Sequence, residues 1–279
     1  MAEEKRKDKK PRSPAAACAI RCTAFLALSL LGKFELRYWF ANVGEIGCIL
    51  YEIFLTTFFL QVVDRNKRSF FAKGRGIENI TRGLLWGIVL PLYPALMDFG
   101  FKKLTFIRDY SQKLFGVGSV HILCEAVFTA FLAFGYVFTV IKEHYGEKPA
   151  GAISILIYLV YTEIRLYDFI DPVLREGWPV NPFEFINLLS LLLVGIGCVL
   201  MLMAYGDIRS VAIFLPLMYL IQYTGVTYYD IYHSGVFLDS GFRLMRTLPF
   251  FVSDVAVCLM ILTRVQGDGT IANLVKDEE

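Results

Sequence analysis

Acidic residues recur inside the oily stretches of this chain: Glu45, Glu52, Glu125, Glu163 and Asp254. A charged side chain at bilayer depth costs about 2.5–3.5 kcal/mol on insertion scales. Acids in such places therefore need hydrogen-bonding partners, a bound proton or a bound cation. Their spacing sorts them. Glu45 and Glu52 are seven residues apart, so they share a helix face, and Cys48 lies on it too. His121 and Glu125, within "HILCE", are four apart and can interact along one face. Arg165 stands two residues from Glu163 and so faces elsewhere; its match on the helix is Asp168. Asp254 adjoins Ser253 in the last oily run, and Asn187 and Gln222 add neutral polar groups in the two runs before it.

Three chemistries suit this set. One is a polar interior that binds or moves an ion or a small polar or lipid substrate, lined by Glu45, Glu52, His121, Glu125, Glu163 and Asp254. Another is interhelical polar packing in a non-catalytic subunit of a membrane assembly. The third is an intramembrane enzyme acting on a lipid, with His121 and a nearby carboxylate as an acid–base pair. The chain has three histidines, which counts against the enzyme and leaves catalytic residues unassigned. "HILCE" is not HExxH, and no metal is assigned. No Walker A, GxGxxG or GxSxG pattern occurs, so no cofactor is expected.

The elements that carry these residues follow from hydropathy. The chain is 56% hydrophobic and 19% charged, against about 25% charged in soluble domains. Its mean hydropathy is +0.53. Apolar runs near the length of a bilayer span, about 18 residues or more, recur along it without the alternation of a β-barrel. A soluble bundle has too little protein to bury them all. The reading is an all-α, polytopic helical membrane bundle of about eight transmembrane helices, with seven as the runner-up.

The runs begin with "AAACAIRCTAFLALSLLG", interrupted by Arg21, and continue at 38–63, 84–106, 117–141, 151–170, 183–204, 210–229 and 247–263. A basic start before an oily run also fits a signal peptide; the lack of a small-x-small cleavage pattern favours a retained helix. Pro91 and Pro94 should kink the third run. Residues 1–13 and 265–279 read as polar tails, leaving 14–264 as a single membrane domain. "YGDIR" allows only a tight turn between the sixth and seventh helices.

Basic residues fix the orientation. Lys5 to Arg12 and Arg65 to Arg82 are the two densest basic segments, and both are expected to be cytoplasmic. Two crossings separate them, so the assignments agree, and eight spans return the C-terminus to the cytoplasm. Seven spans would put them on opposite sides. Lys67, Arg68 and Lys73 are candidates for contact with lipid headgroups. The sequon at Asn79 lies in the same cytoplasmic loop and is expected to be silent. The six cysteines fall in apolar runs and read as packing residues rather than disulfides. With a net charge of +2 and cations gathered at run ends, no nucleic-acid partner is expected; membrane lipids and other membrane subunits are. The membrane itself, plasma or internal, is left open. A local echo, "VGEIGCILYEIF" at 43–54 against "VGSVHILCEAVF" at 117–128, fits a parallel repeat with Glu52 and Glu125 as counterparts.

Overall fold

The computed structural model describes residues 14–39, 44–64, 75–101, 117–162, 182–232, 251–252 and 254–263. All secondary structure among them is helical. We number the elements α1 Pro14–Trp39, α2 Gly44–Phe58 with a π-helical extension Phe59–Val63, and α3 Gly76–Phe101. Next comes α4, which runs as α-helix Val117–Thr129, π-helix Ala130–Val137 and α-helix Phe138–Tyr145. The rest are α5 Glu147–Thr162, α6 Pro182–Tyr205, α7 Ile208–Tyr232 and α8 Asp254–Thr263.

Two described segments are long and apolar enough to cross a membrane: Ile46–Val63 in α2 and Leu123–Tyr145 in α4. Shorter apolar helices are Ala16–Gly32, Leu189–Tyr205, Ile208–Leu220 and Asp254–Thr263. The two long segments differ in position. The first is 22% buried and lies at the edge of the bundle; the second is 72% buried and forms its axis.

Packing fixes the direction of every helix. Tyr51 of α2 donates to the Leu28 carbonyl of α1 at 2.8 Å, while Arg21 meets Asp64 at 3.5 Å, so α1 and α2 are antiparallel. That ion pair also explains the arginine inside the first oily run. Phe25 of α1 sits among Phe59, Phe128 and Tyr136, which joins α1 to both α2 and α4. On α5, Tyr161 packs on Phe128 and Tyr158 on Phe134, so α4 and α5 are antiparallel. Tyr158 also lies against Gly195 of α6, and Gly151 against Val199, again antiparallel. Ser190 contacts Asp254 and Leu193 contacts Cys258, which makes α6 and α8 parallel.

The contact between α3 and α7 is parallel and is the most extensive between helices among the described residues. Its seam is "GLLWG". A Cβ on Gly83 would stand 2.5 Å from the Ser210 carbonyl oxygen, and one on Gly87 would stand 3.0 Å from the Leu217 Cβ. Only hydrogen fits there, so the backbones touch as in other small-xxx-small pairs.

The breaks between helices follow local rules. Gly146 (φ 86°) and Gly206 (φ 62°) adopt backbone that other residues rarely take, and their N–H groups cap Lys142 and Leu202. Asp207 then caps the start of α7, its Oδ1 accepting the Arg209 N–H at 2.9 Å. The expected tight turn is thus Gly206 and Asp207. The third helix starts at Gly76, well before the apolar run expected from 84; within "GIENITR", Asn79 and Arg82 reach Asp207 and Tyr205. Its helical assignment continues through Pro91 and Pro94.

Candidate functional site

The helix α2 has two faces. Ile46, Leu50, Ile53, Phe54 and Val62 are exposed, with Phe54 at 64%. Glu52 points the opposite way and is buried. The Tyr161 hydroxyl of α5 donates to its Oε1 at 3.1 Å. Glu125, half-buried on α4, stands within electrostatic range of the same hydroxyl. Cys48 also acts on Tyr161, and Cys124 feels the charge of Glu52. The structure therefore brings Glu52 and Glu125 to one tyrosine between α2, α4 and α5.

The local sequence echo has a structural counterpart. Read without a gap, Ile49-Leu50-Tyr51-Glu52 matches Ile122-Leu123-Cys124-Glu125, and Thr56 and Phe58 match Thr129 and Phe131 at the same offset. A π-helical stretch follows each motif, from Phe59 and from Ala130. The Phe59–Tyr136 contact lies beyond both motifs, so the two helices run in the same direction. Such π segments are rare and gather at functional sites.

Asp254 belongs to a second centre. It is fully buried at the start of α8 and accepts a hydrogen bond from Ser190 of α6. One turn on, the Cys258 thiol donates to the Leu193 carbonyl at 3.0 Å. Tyr158 of α5 lies within electrostatic range of Asp254, and its hydroxyl is 2.7 Å from that of Tyr219 on α7. Asp254 is thus tied to α5, α6 and α7, while Glu52 is tied to α2, α4 and α5. The side chains of Glu45 and His121, and the whole of Glu163, Lys67, Arg68 and Lys73, lie outside the described residues.

A third polar cluster closes the far end of the bundle. The Asn79 amide donates to Asp207 Oδ2 at 3.0 Å, and both residues are fully buried. Arg209 reaches the same carboxylate at 3.5 Å. Arg82 pairs with Glu78 and lies over the Tyr205 ring, whose hydroxyl accepts from Trp86 Nε1 at 3.4 Å. The sequon asparagine is therefore an interhelical fastener.

No protein-family model matches this chain, and no curated protein matches it either.

What the arrangement can do follows from the donor set. Among the described residues no three His, Cys, Asp or Glu side chains converge as metal ligands. A small apolar cavity beside Phe25, Phe59, Phe131 and Tyr136 is about the size of one water molecule. The first two acid centres are served by hydroxyls and thiols, groups that exchange protons and can coordinate small cations. Sequence reading missed Tyr158, Tyr161, Ser190 and Tyr219. A signal was present for part of this: Ser154, Tyr158 and Tyr161 recur at helical spacing in "SILIYLVY", and all three are fully buried.

Proposed function

We propose that this is an eight-span membrane protein that binds and moves a small cation at the Glu52–Glu125–Tyr161 centre. The observation that carries the reading is the polarity of α2. Its exposed face is apolar, while its one carboxylate beyond Glu45 turns inward to a buried hydroxyl. That is the reverse of a surface helix in water and matches a helix facing lipid. Other helices agree: Leu31, Leu85, Leu156 and Leu259 are exposed, each at 54% or more.

The helix directions support eight spans with both termini cytoplasmic. Successive helices alternate, with α1, α3, α5 and α7 pointing one way and the others back. Asp64, Asn79, Lys142 and Asp207 then share the cytoplasmic end with the two basic segments. On this reading 14–264 is the membrane domain, and 1–13 and 265–279 are its cytoplasmic tails. Lys67, Arg68 and Lys73 contact anionic headgroups, at about 1 kcal/mol per charge.

The test is a flux assay. Purified protein in proteoliposomes is given outward gradients of protons, sodium, potassium or calcium in turn. Wild type should dissipate one of them, and Glu52→Gln, equally folded, should not. Wild-type vesicles no leakier than empty ones to all four would sink the reading. A second reading, an accessory subunit of a membrane assembly held by interhelical polar packing, is favoured by the Asn79–Asp207 bond, and that result would select it. The lipid-enzyme reading rests on His121, whose side chain is not described.

A further inference from the structure

We propose that the π-helical turn Phe59–Val63 of α2 is a phase switch. It holds Asp64 inward against α1. On reverting to α-helix it turns Asp64 and the root of the basic loop outward, while Glu52 stays in place. The switch does not depend on which ion, if any, Glu52 binds.

The burial pattern of α2 carries the proposal. Its buried residues are Cys48, Glu52, Leu55 and Phe59, and Asp64 follows at its end. The steps are four, three and four, the rhythm of an α-helix, and then five. The last step is closed by a backbone bond of the same reach: the Asp64 N–H donates to the Phe59 carbonyl at 3.0 Å. Glu52 and Asp64 are twelve residues apart. In a continuous α-helix that separation points them about 120° apart. A turn that absorbs one extra residue brings them within about 20° of each other. Glu52 therefore reaches Tyr161, and Asp64 reaches Arg21, from one face of one helix. Val62 records the same shift. Three residues past Phe59, it would lie about 60° from the Phe59 direction in an α-helix and so turn inward. Instead it is 59% exposed.

A π turn is rarer than an α turn, and contacts to other helices hold this one. Phe59 stacks on Phe25 at 4.4 Å, which fixes the upstream side. Arg21 of α1 meets Asp64 at 3.5 Å, which fixes the downstream side. The second hold is the weaker, since the pair is long and the Arg21 side chain is half-exposed. Phe59 and Leu60 also line the small cavity, so the turn is not tightly packed on that side. With Asp64 freed, the extra residue is taken up in α-helical winding. Phe59 stays stacked, Val62 and Val63 turn in to flank its direction, and Asp64 turns outward by about 100°. Arg65 is the next residue, so the rotation re-aims the start of the basic segment.

Quenching by brominated phosphatidylcholine tests the switch in proteoliposomes. A small fluorophore is attached through Gln61→Cys or Val62→Cys, with the parent chain labelled in parallel as background. Both positions are exposed, so both labels should be quenched. Adding Asp64→Ala should abolish quenching at residue 62 and leave it at residue 61, which points outward in either winding. Asp64→Asn replaces Asp64→Ala should the latter not fold. Deleting Gln61 removes the extra residue, and in that background Asp64→Ala should leave residue 62 quenched. Quenching retained at residue 62 in the intact chain overturns the switch, because the phase has not changed. Loss at both 61 and 62, or loss at 62 in the deletion chain as well, overturns it too, because the helix end has then come apart. Loss at residue 62 alone supports it, whatever the flux assay finds.

Discussion

Asp207 and Glu52 are both buried carboxylates, and they are held in opposite ways. Asp207 is saturated by a side-chain amide, a backbone N–H and a guanidinium. Glu52 meets a phenol, with another acid and two thiols nearby. The first set is made of N–H donors that tie the carboxylate to α3 and α7. The second offers a hydroxyl donor beside another acid, a different chemistry of support. Burial alone does not separate a fastener from a working group; the chemistry of the donors does.

Removing each carboxylate should therefore have unequal consequences. Asp207→Ala leaves Asn79 and Arg209 without their shared partner and uncaps α7. We expect a loss of about 3–5 kcal/mol, read as lower yield and a lower melting temperature in detergent. Asp207→Asn, which keeps the cap, should recover much of that. Gly83→Leu attacks the same end through packing. It forces the α3 and α7 backbones apart, and overpacking of this kind costs about 1–3 kcal/mol; engineered cysteines across the seam should cross-link more slowly. At the other centre Glu52→Gln should melt within about 1 kcal/mol of wild type, because the amide oxygen still accepts from Tyr161. Glu52→Leu should melt lower than Gln by about 1–3 kcal/mol, since the phenol loses its acceptor. If Glu52→Leu were as damaging as Asp207→Ala, the Glu52 centre would be a fastener as well. Arg21→Ala should do least. Its side chain is 41% exposed and the pair is long at 3.5 Å, so the loss should stay below that of Asp207→Ala even though Asp64 is buried.

Much of the helical layout is legible in the sequence, because an apolar run with polar punctuation is a local signal. "YGDIR" marks a two-residue turn, and the run at 117 begins where α4 begins. The partners are not legible in the same way. Nothing near Asn79 in sequence announces Asp207, and nothing near Glu52 announces Tyr161; these are bonds between helices far apart in the chain. The early start of α3 was hidden for that reason, since "GIENITR" looks like a loop until Asn79 meets Asp207, Arg82 covers Tyr205 and Gly83 meets α7. The five acids and one histidine first grouped as one site could be sorted by face within a helix. Whether Asp254 sits with Glu52 or apart from it depends on which helices are neighbours.

The parallel seam between α3 and α7 has a consequence for biosynthesis. Asn79 and Asp207 are 128 residues apart, a stretch that takes on the order of ten seconds to translate. Through that interval α3 carries an asparagine and two bare glycines with nothing to pair them. A newborn chain at this stage offers a polar, close-packing edge that a neighbouring helix or a chaperone can occupy, until α7 arrives to displace it. Quality control that recognises such an edge would see every chain halted before residue 207 as incomplete.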